Sequence, residues 1–248
     1  VKVWCFLLAL WCPLALAAPV LNIYADAYPP FIQLQKGVLS GPYVDAFTRL
    51  AQQRGIRVRF LPMPVRRLLK VLATDPDSCG LAVHFSAENA EILRYVARIA
   101  PITLAVYAQS GTIGSLSNIE ALRGYSIGAI DVAELRELLD NAAIHYEPLA
   151  KAGSGIAMLQ AGRFDLLISD VLPELMVAPQ ERKIRRVMVL ARVERWLACN
   201  PQLPPATLKA LRESLSLGVF ADSVADIWQG YGLSSVYQEV RREWIALP

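Results

Sequence analysis

The chain has 248 residues, 54% of them hydrophobic, and carries 25 Lys and Arg against 22 Asp and Glu for a net charge of +3. That length holds one large domain or two small ones. A charge so close to balance, with no Lys/Arg face dominating, argues against nucleic acid as the main partner.

Lys2 gives a positive start, and Val3 to Leu16 is an almost unbroken apolar run that ends in Ala15-Leu16-Ala17. Small residues at the two positions read by a signal peptidase predict a cleaved secretory signal over residues 1–17, with Ala18/Pro19 as the alternative cut. The run falls short of the roughly 20 apolar residues that span a bilayer, and Trp11 before Cys12 speaks against a lipid anchor. The mature protein is therefore expected to work outside the cytoplasm. Cys79 and Cys199 remain there, in a compartment that permits disulfides. A bond between them and two buried free thiols are both open readings.

Val20 to Tyr24 reads as a buried strand that runs into the Pro-rich turn Tyr28-Pro29-Pro30-Phe31. Gly41-Pro42 opens a helix whose Tyr43, Ala46, Phe47, Leu50 and Ala51 share one apolar face. Ile56 to Phe60 alternates as a strand, Val65 to Ala73 is a second amphipathic helix, Gly80 to Phe85 a strand, and Ala87 to Tyr95 a helix. Ile102 to Ala108 is an apolar strand, followed by a Gly/Ser-rich loop and a short helix from Asn118. Strands over Tyr125–Ile130, Ala143–Tyr146 and Phe164–Ser169 then alternate with helices over Val132–Ala142 and Gly155–Ala161. The basic stretch from Glu181 to Arg186 reads as a solvated connector. Val187–Leu190 and Trp196–Cys199 are strand-like, and helices follow from Pro204/Pro205, around Ala221–Trp228 and over Val236–Trp244. Strands alternating with helices imply parallel sheets built from right-handed crossovers.

Signals for other chemistry are weak. His84 and His145 have no zinc-ligand spacing. Gly153-Ser154-Gly155 lacks the spacing of a nucleophile elbow, and there is no Walker-type loop. Neither a metal nor a cofactor is expected.

Six segments in order resemble the type 2 periplasmic solute-binding proteins that serve amino-acid transporters. Tyr28-Pro29-Pro30-Phe31 is similar to that family's Y-x-P-F turn, and Gly41 to Phe47 to its G-[FY]-D-[IV]-D-L helix start with the Asp one residue out of register. Phe85 to Ala90 falls where the family has T-x-T-x-E-R-A. Ile119 to Gly124 and the strand after it resemble L-x-D-L-K-G-K-x-V-G-V, and Leu159 to Asp165 resembles L-x-x-G-R-x-D-A, with Asp170 at the expected distance. The resemblance implies an α/β fold of two lobes, each a mainly parallel sheet flanked by helices, joined by two crossover strands. Lobe one would take residues 18–109 and 193–248, and lobe two residues 110–192. A ligand would sit in the cleft between them, which closes by hinge motion.

The same resemblance places Tyr28, His84, Ser86, Asn89, Asp131 and Asp170 at the ligand. The family's carboxylate-binding Arg is replaced by Asn89, and Asp131-Val132-Ala133 stands where relatives have a Gly-Thr pair opening a helix. Asp170 keeps the carboxylate that takes a ligand's ammonium, and it would equally serve as a helix N-cap. The expectation is weak or no binding of ordinary α-amino acids, and instead a cationic or neutral solute or a cleft that has lost binding. Arg66, Arg67 and Arg94 are candidates to compensate. The role implied is that of a monomeric, non-enzymatic binding protein that delivers a small molecule to an inner-membrane ABC-type permease. Two alternatives stand beside it: a dehydratase of prephenate-like substrates with Glu88 or Asp170 as its acid, and a stand-alone periplasmic sensor or accessory protein.

Overall fold

The alternation Leu21, Ile23, Ala25 buries one face of β1 (Val20–Ala25). The turn that follows contains a cis peptide bond between Pro29 and Pro30 and returns at Ile32, whose carbonyl accepts from the Tyr28 N–H at 2.8 Å. A computed structural model describes residues 20–131, 133–149, 152–169 and 183–246. The expected signal segment and Asp170 lie outside them.

A small hairpin, β2 (Gln33–Gln35) and β3 (Val38–Ser40), leads to α1 (Pro42–Gln52). Gly41 enters that helix at φ 116°, and a Cβ on it would lie 2.5 Å from the Phe31 carbonyl oxygen, so only glycine fits there. Pro42 opens the helix where its missing N–H costs nothing. Tyr43, Ala46, Phe47, Leu50 and Ala51 are all buried, as their spacing predicts. Next come β4 (Arg57–Pro62), α2 (Val65–Leu72), β5 (Ser78–His84) and a single helical turn, α3 (Ala87–Ala90).

The chain departs from expectation beyond Ala90. The helix anticipated over Ala87 to Tyr95 stops there, and β6 runs unbroken from Arg94 to Gln109. Its partner β10 (Ile184–Cys199) joins the two strand segments read separately at Val187 and Trp196, and takes in Arg185 and Arg186 of the expected connector. The two 16-residue strands pair antiparallel along their whole length, from Cys199 opposite Arg94 to Ile184 opposite Gln109. Between them lie a 3-10 turn (Ile119–Leu122), β7 (Ile127–Ile130), α4 (Ala133–Asn141), β8 (Glu147–Leu149), α5 (Ala152–Gln160) and β9 (Leu166–Ser169). The strand expected over Ala143 to Tyr146 forms instead at Glu147–Leu149, because Ala143 turns the chain at φ 53°. The C-terminal region is helical: α6 (Pro205–Ser214), a 3-10 turn (Asp222–Val224), α7 (Ala225–Gly230) and α8 (Ser234–Ala246).

Because β6 and β10 pair with each other, the two expected sheets fuse into one of eight strands, in the order β4-β1-β5-β10-β6-β9-β7-β8. β1 is parallel to β4 and β5, and β7 is parallel to β8 and β9. The apolar interior is nevertheless divided. On one side, Leu21, Ile23, Tyr43 and Phe47 join Phe220, Trp228 and Trp244, and the opposite sheet face packs Leu68, Leu72 and Val83. On the other, Leu104, Leu135, Leu139 and Leu166 form one cluster and Tyr107, Leu159 and Leu167 another. The division falls between Ala100 and Leu104 on β6 and between Val187 and Leu197 on β10, so the fold is two-lobed. We refer to the lobes as first and second.

Cys79 and Cys199 sit opposite each other on β5 and β10, with Cα atoms 3.9 Å apart, and form a disulfide. Of the two readings that the sequence leaves open, the structure has the bonded one. Pro101 is accommodated in β6 because β9 pairs that strand only from Ala105 to Tyr107, leaving a neighbour on one side alone at Pro101.

Candidate functional site

Strand direction locates the site. His84, the last residue of β5, pairs with Arg195 of β10, which itself pairs with Ala100 of β6. Ser169, the last residue of β9, pairs with Ala105. The carboxyl ends of the parallel strands of both lobes therefore face one another across five residues of β6, roughly 17 Å of strand. Ligands of open α/β sheets bind outside such carboxyl ends.

On the first-lobe side stand Tyr28 after β1, Arg66 after β4, His84 at the end of β5, and Ser86 and Asn89 beyond it. The half-buried Tyr28 ring packs 5.4 Å from Phe31 and 6.4 Å from Tyr43, and the guanidinium of Arg195 lies 5.2 Å from its centroid. The Tyr95 hydroxyl ties the next segment together by donating to the His84 carbonyl at 3.0 Å and accepting from the Ser86 N–H at 3.2 Å. Ser86 Oγ accepts from the Asn89 N–H at 3.3 Å and so caps the short helix α3. The exposed ring of Phe85 packs on Tyr95 and Trp196 beside it.

On the second-lobe side, Asp131 follows β7, and its N–H donates to the Leu149 carbonyl at 3.0 Å. Its carboxylate meets Arg136 at 2.5 Å and, from the first lobe, Arg66 at 4.0 Å. The negative charge anticipated there is thus already matched by two guanidinium groups. Asp170 lies outside the described residues. Of the three arginines expected as candidates to compensate, all are exposed, and Arg66 reaches toward Asp131.

A pocket opens at the hinge against this arrangement. It is bounded by the Tyr28 ring, by Pro101, Ile102 and Thr103 of β6, by Arg186 of β10, and by Glu239 and its neighbours on α8. Of the six expected ligand residues, Tyr28 alone lines it among those described. Arg195 carries no site signal in the sequence, and Arg186 reads there as part of a solvated connector. Both lie on β10, where register shifts interrupt the alternation that tells inward side chains from outward ones. Arg195 is only 7% exposed, a burial unusual for a charged side chain. Among the described residues no cluster of His, Cys, Asp or Glu could hold a metal ion, and no helix is long and apolar enough to cross a membrane.

Solved structures with this arrangement are plentiful. A histidine kinase sensor domain with similarity to periplasmic binding proteins superposes with a TM-score of 0.68 at 16% identity, covering 92% of this chain and 96% of the other. The arginine-, lysine-, histidine-binding protein ArtJ from Geobacillus stearothermophilus gives 0.68 at 16% identity, over 86% and 95% of the two chains. The GluR0 ligand-binding core in complex with L-glutamate gives 0.72 at 10% identity, over 87% and 99%. The chain has the type 2 periplasmic-binding-protein fold. No family model matches the sequence, and no curated protein matches it. This binding-protein fold is thus carried by a divergent sequence, and the residues around its hinge must be read on their own chemistry.

Proposed function

We propose that the chain is a periplasmic solute-binding protein that captures a small polar solute between its lobes and presents it to an ABC-type permease of the inner membrane. The observation that carries this reading is the meeting of strand ends from both lobes at one hinge, with an aromatic ring and charged side chains converging there. The three solved structures named above are binding and sensor domains, which supports binding rather than catalysis. Lobe one then comprises residues 18–109 and 193–248 and lobe two residues 110–192, with residues 1–17 removed on export of a monomer. His84, Ser86, Asn89, Asp131 and Asp170 contribute to the cleft beside Tyr28. With Asn89 in place of a guanidinium, the solute is cationic or amino-acid-like without the usual carboxylate fork.

A second reading, a periplasmic sensor module, draws on the sensor domain that matches 92% of this chain. It uses the same site and differs only in the membrane partner. Thermal melts of the purified mature protein across a library of amino acids, amines and small neutral solutes test the binding role. A saturable rise in Tm with one chemical class is expected, together with a more compact particle in small-angle scattering. A library without any such hit would sink the solute-binding reading.

A further inference from the structure

The hinge pocket carries two formal charges of opposite sign that do not neutralise each other. Arg186 projects from the part of β10 that pairs with Tyr107, within the second lobe, while Glu239 comes from α8, packed on the first. Both side chains are exposed, and among the described residues neither forms an ion pair. Ile102, Val236 and Val240 make the rest of the nearby wall apolar. A charge brought into such a pocket needs its own counter-charge, and the hydrocarbon wall needs a hydrocarbon body against it.

Resting on the solute-binding reading, we infer that this pocket takes a zwitterion whose opposite charges stand at the two ends of a short apolar chain. Its carboxylate is received by Arg186, its ammonium by Glu239, and its methylenes lie along Ile102 and Val236 beneath the Tyr28 ring. The class is that of ω-amino acids. Set on different lobes, the two receptors favour a solute whose charges are held apart by methylenes over an α-amino acid, whose charges flank a single carbon. Because the receptors belong to different lobes, the occupied state has one preferred lobe angle, and binding shifts the population toward it.

Calorimetric titration of the mature protein with δ-aminovalerate, pentylamine and pentanoate tests this, alongside L-arginine and L-glutamate as α-amino-acid probes. Saturable binding of δ-aminovalerate is expected, with each singly charged analogue weaker by about tenfold or more, a loss of at least ~1.4 kcal/mol. Arg186→Gln and Glu239→Gln should each weaken δ-aminovalerate by a similar factor while the ligand-free Tm stays that of the parent. Equal affinity for δ-aminovalerate and pentanoate, or binding untouched by both substitutions, overturns the assignment. If L-arginine or L-glutamate binds and neither substitution matters, solute binding stands and this pocket's role falls. If none of the probes nor any library solute binds, both fall together.

Discussion

The two lobes share one sheet but are built from different materials. In the first, aromatic rings form a continuous stack: Phe31 on Tyr43 at 5.0 Å, Phe220 on Trp228 at 4.5 Å, and Tyr237 and Trp244 each within 6.2 Å of Phe220. The Trp228 indole also donates to the Val219 carbonyl at 2.8 Å. The second lobe is mostly aliphatic, with Tyr107 and Phe164 the aromatic members of its buried clusters. Large rings bury more surface per residue and are held in fixed mutual geometry. The first lobe is therefore the more tightly ring-packed of the two.

Breaking the covalent difference between the lobes should have the largest effect. The Cys79–Cys199 bond spans 120 residues, and closing a loop of that order is worth about 4–5 kcal/mol in the chain-entropy picture. Guanidinium denaturation with and without reductant should show a lower midpoint for the reduced protein, read by tryptophan fluorescence dominated by the first lobe. Coincident midpoints would show that the bond does not hold that lobe together.

Next come the two interiors. Trp228→Ala removes a fully buried ring and orphans the Val219 carbonyl, with an expected cost of about 3–5 kcal/mol. Leu139→Ala in the second lobe should cost about 2–4 kcal/mol. Amide exchange separates them further: the leucine variant should speed exchange in β7 and β9 while leaving β1 protected. Exchange that accelerates equally in both lobes would mean that they unfold as one unit.

The smallest effect tests the second lobe's surface. The Ser126 hydroxyl and N–H both donate to Asp165, at 2.6 and 2.8 Å, and hold its carboxyl below the usual carboxylate range. A folded-state value lowered in this way stabilises the protein above the unfolded value near ~4, and the contribution is lost as pH falls through the folded one. The group is exposed, so screening keeps the effect under about 1 kcal/mol. Asp165→Asn should accordingly lower Tm slightly at neutral pH and converge on the parent in acid. A gap that widens in acid would reverse the sign and refute the assignment.

Much of the fold was legible where a short stretch decides its own structure. The face of α1, the alternation of β1 and the Gly41-Pro42 entry are all local signals. The start of β6 reads as helix in the sequence because Ile92, Leu93 and Val96 also satisfy a helical spacing. The partner that makes a strand of Arg94 to Arg98 lies about a hundred residues away on β10, beyond the reach of periodicity. The hinge chemistry was hidden for the same reason. Arg195 meets Tyr28 only because β10 returns beside β5, and Glu239 joins Arg186 only because the C-terminal helix folds back over the crossover strands. Asn89, by contrast, is a local reading, an amide where the family resemblance leads one to expect a guanidinium, and its place at the solute belongs to the proposal.

The disulfide has one more implication, which concerns backbone cleavage. With Cys79 joined to Cys199, the polypeptide from one to the other is a closed covalent ring that contains the whole second lobe. A single protease nick anywhere in that ring opens it without separating the N-terminal and C-terminal parts of the first lobe. A nicked molecule therefore stays in one piece until it meets a reductant.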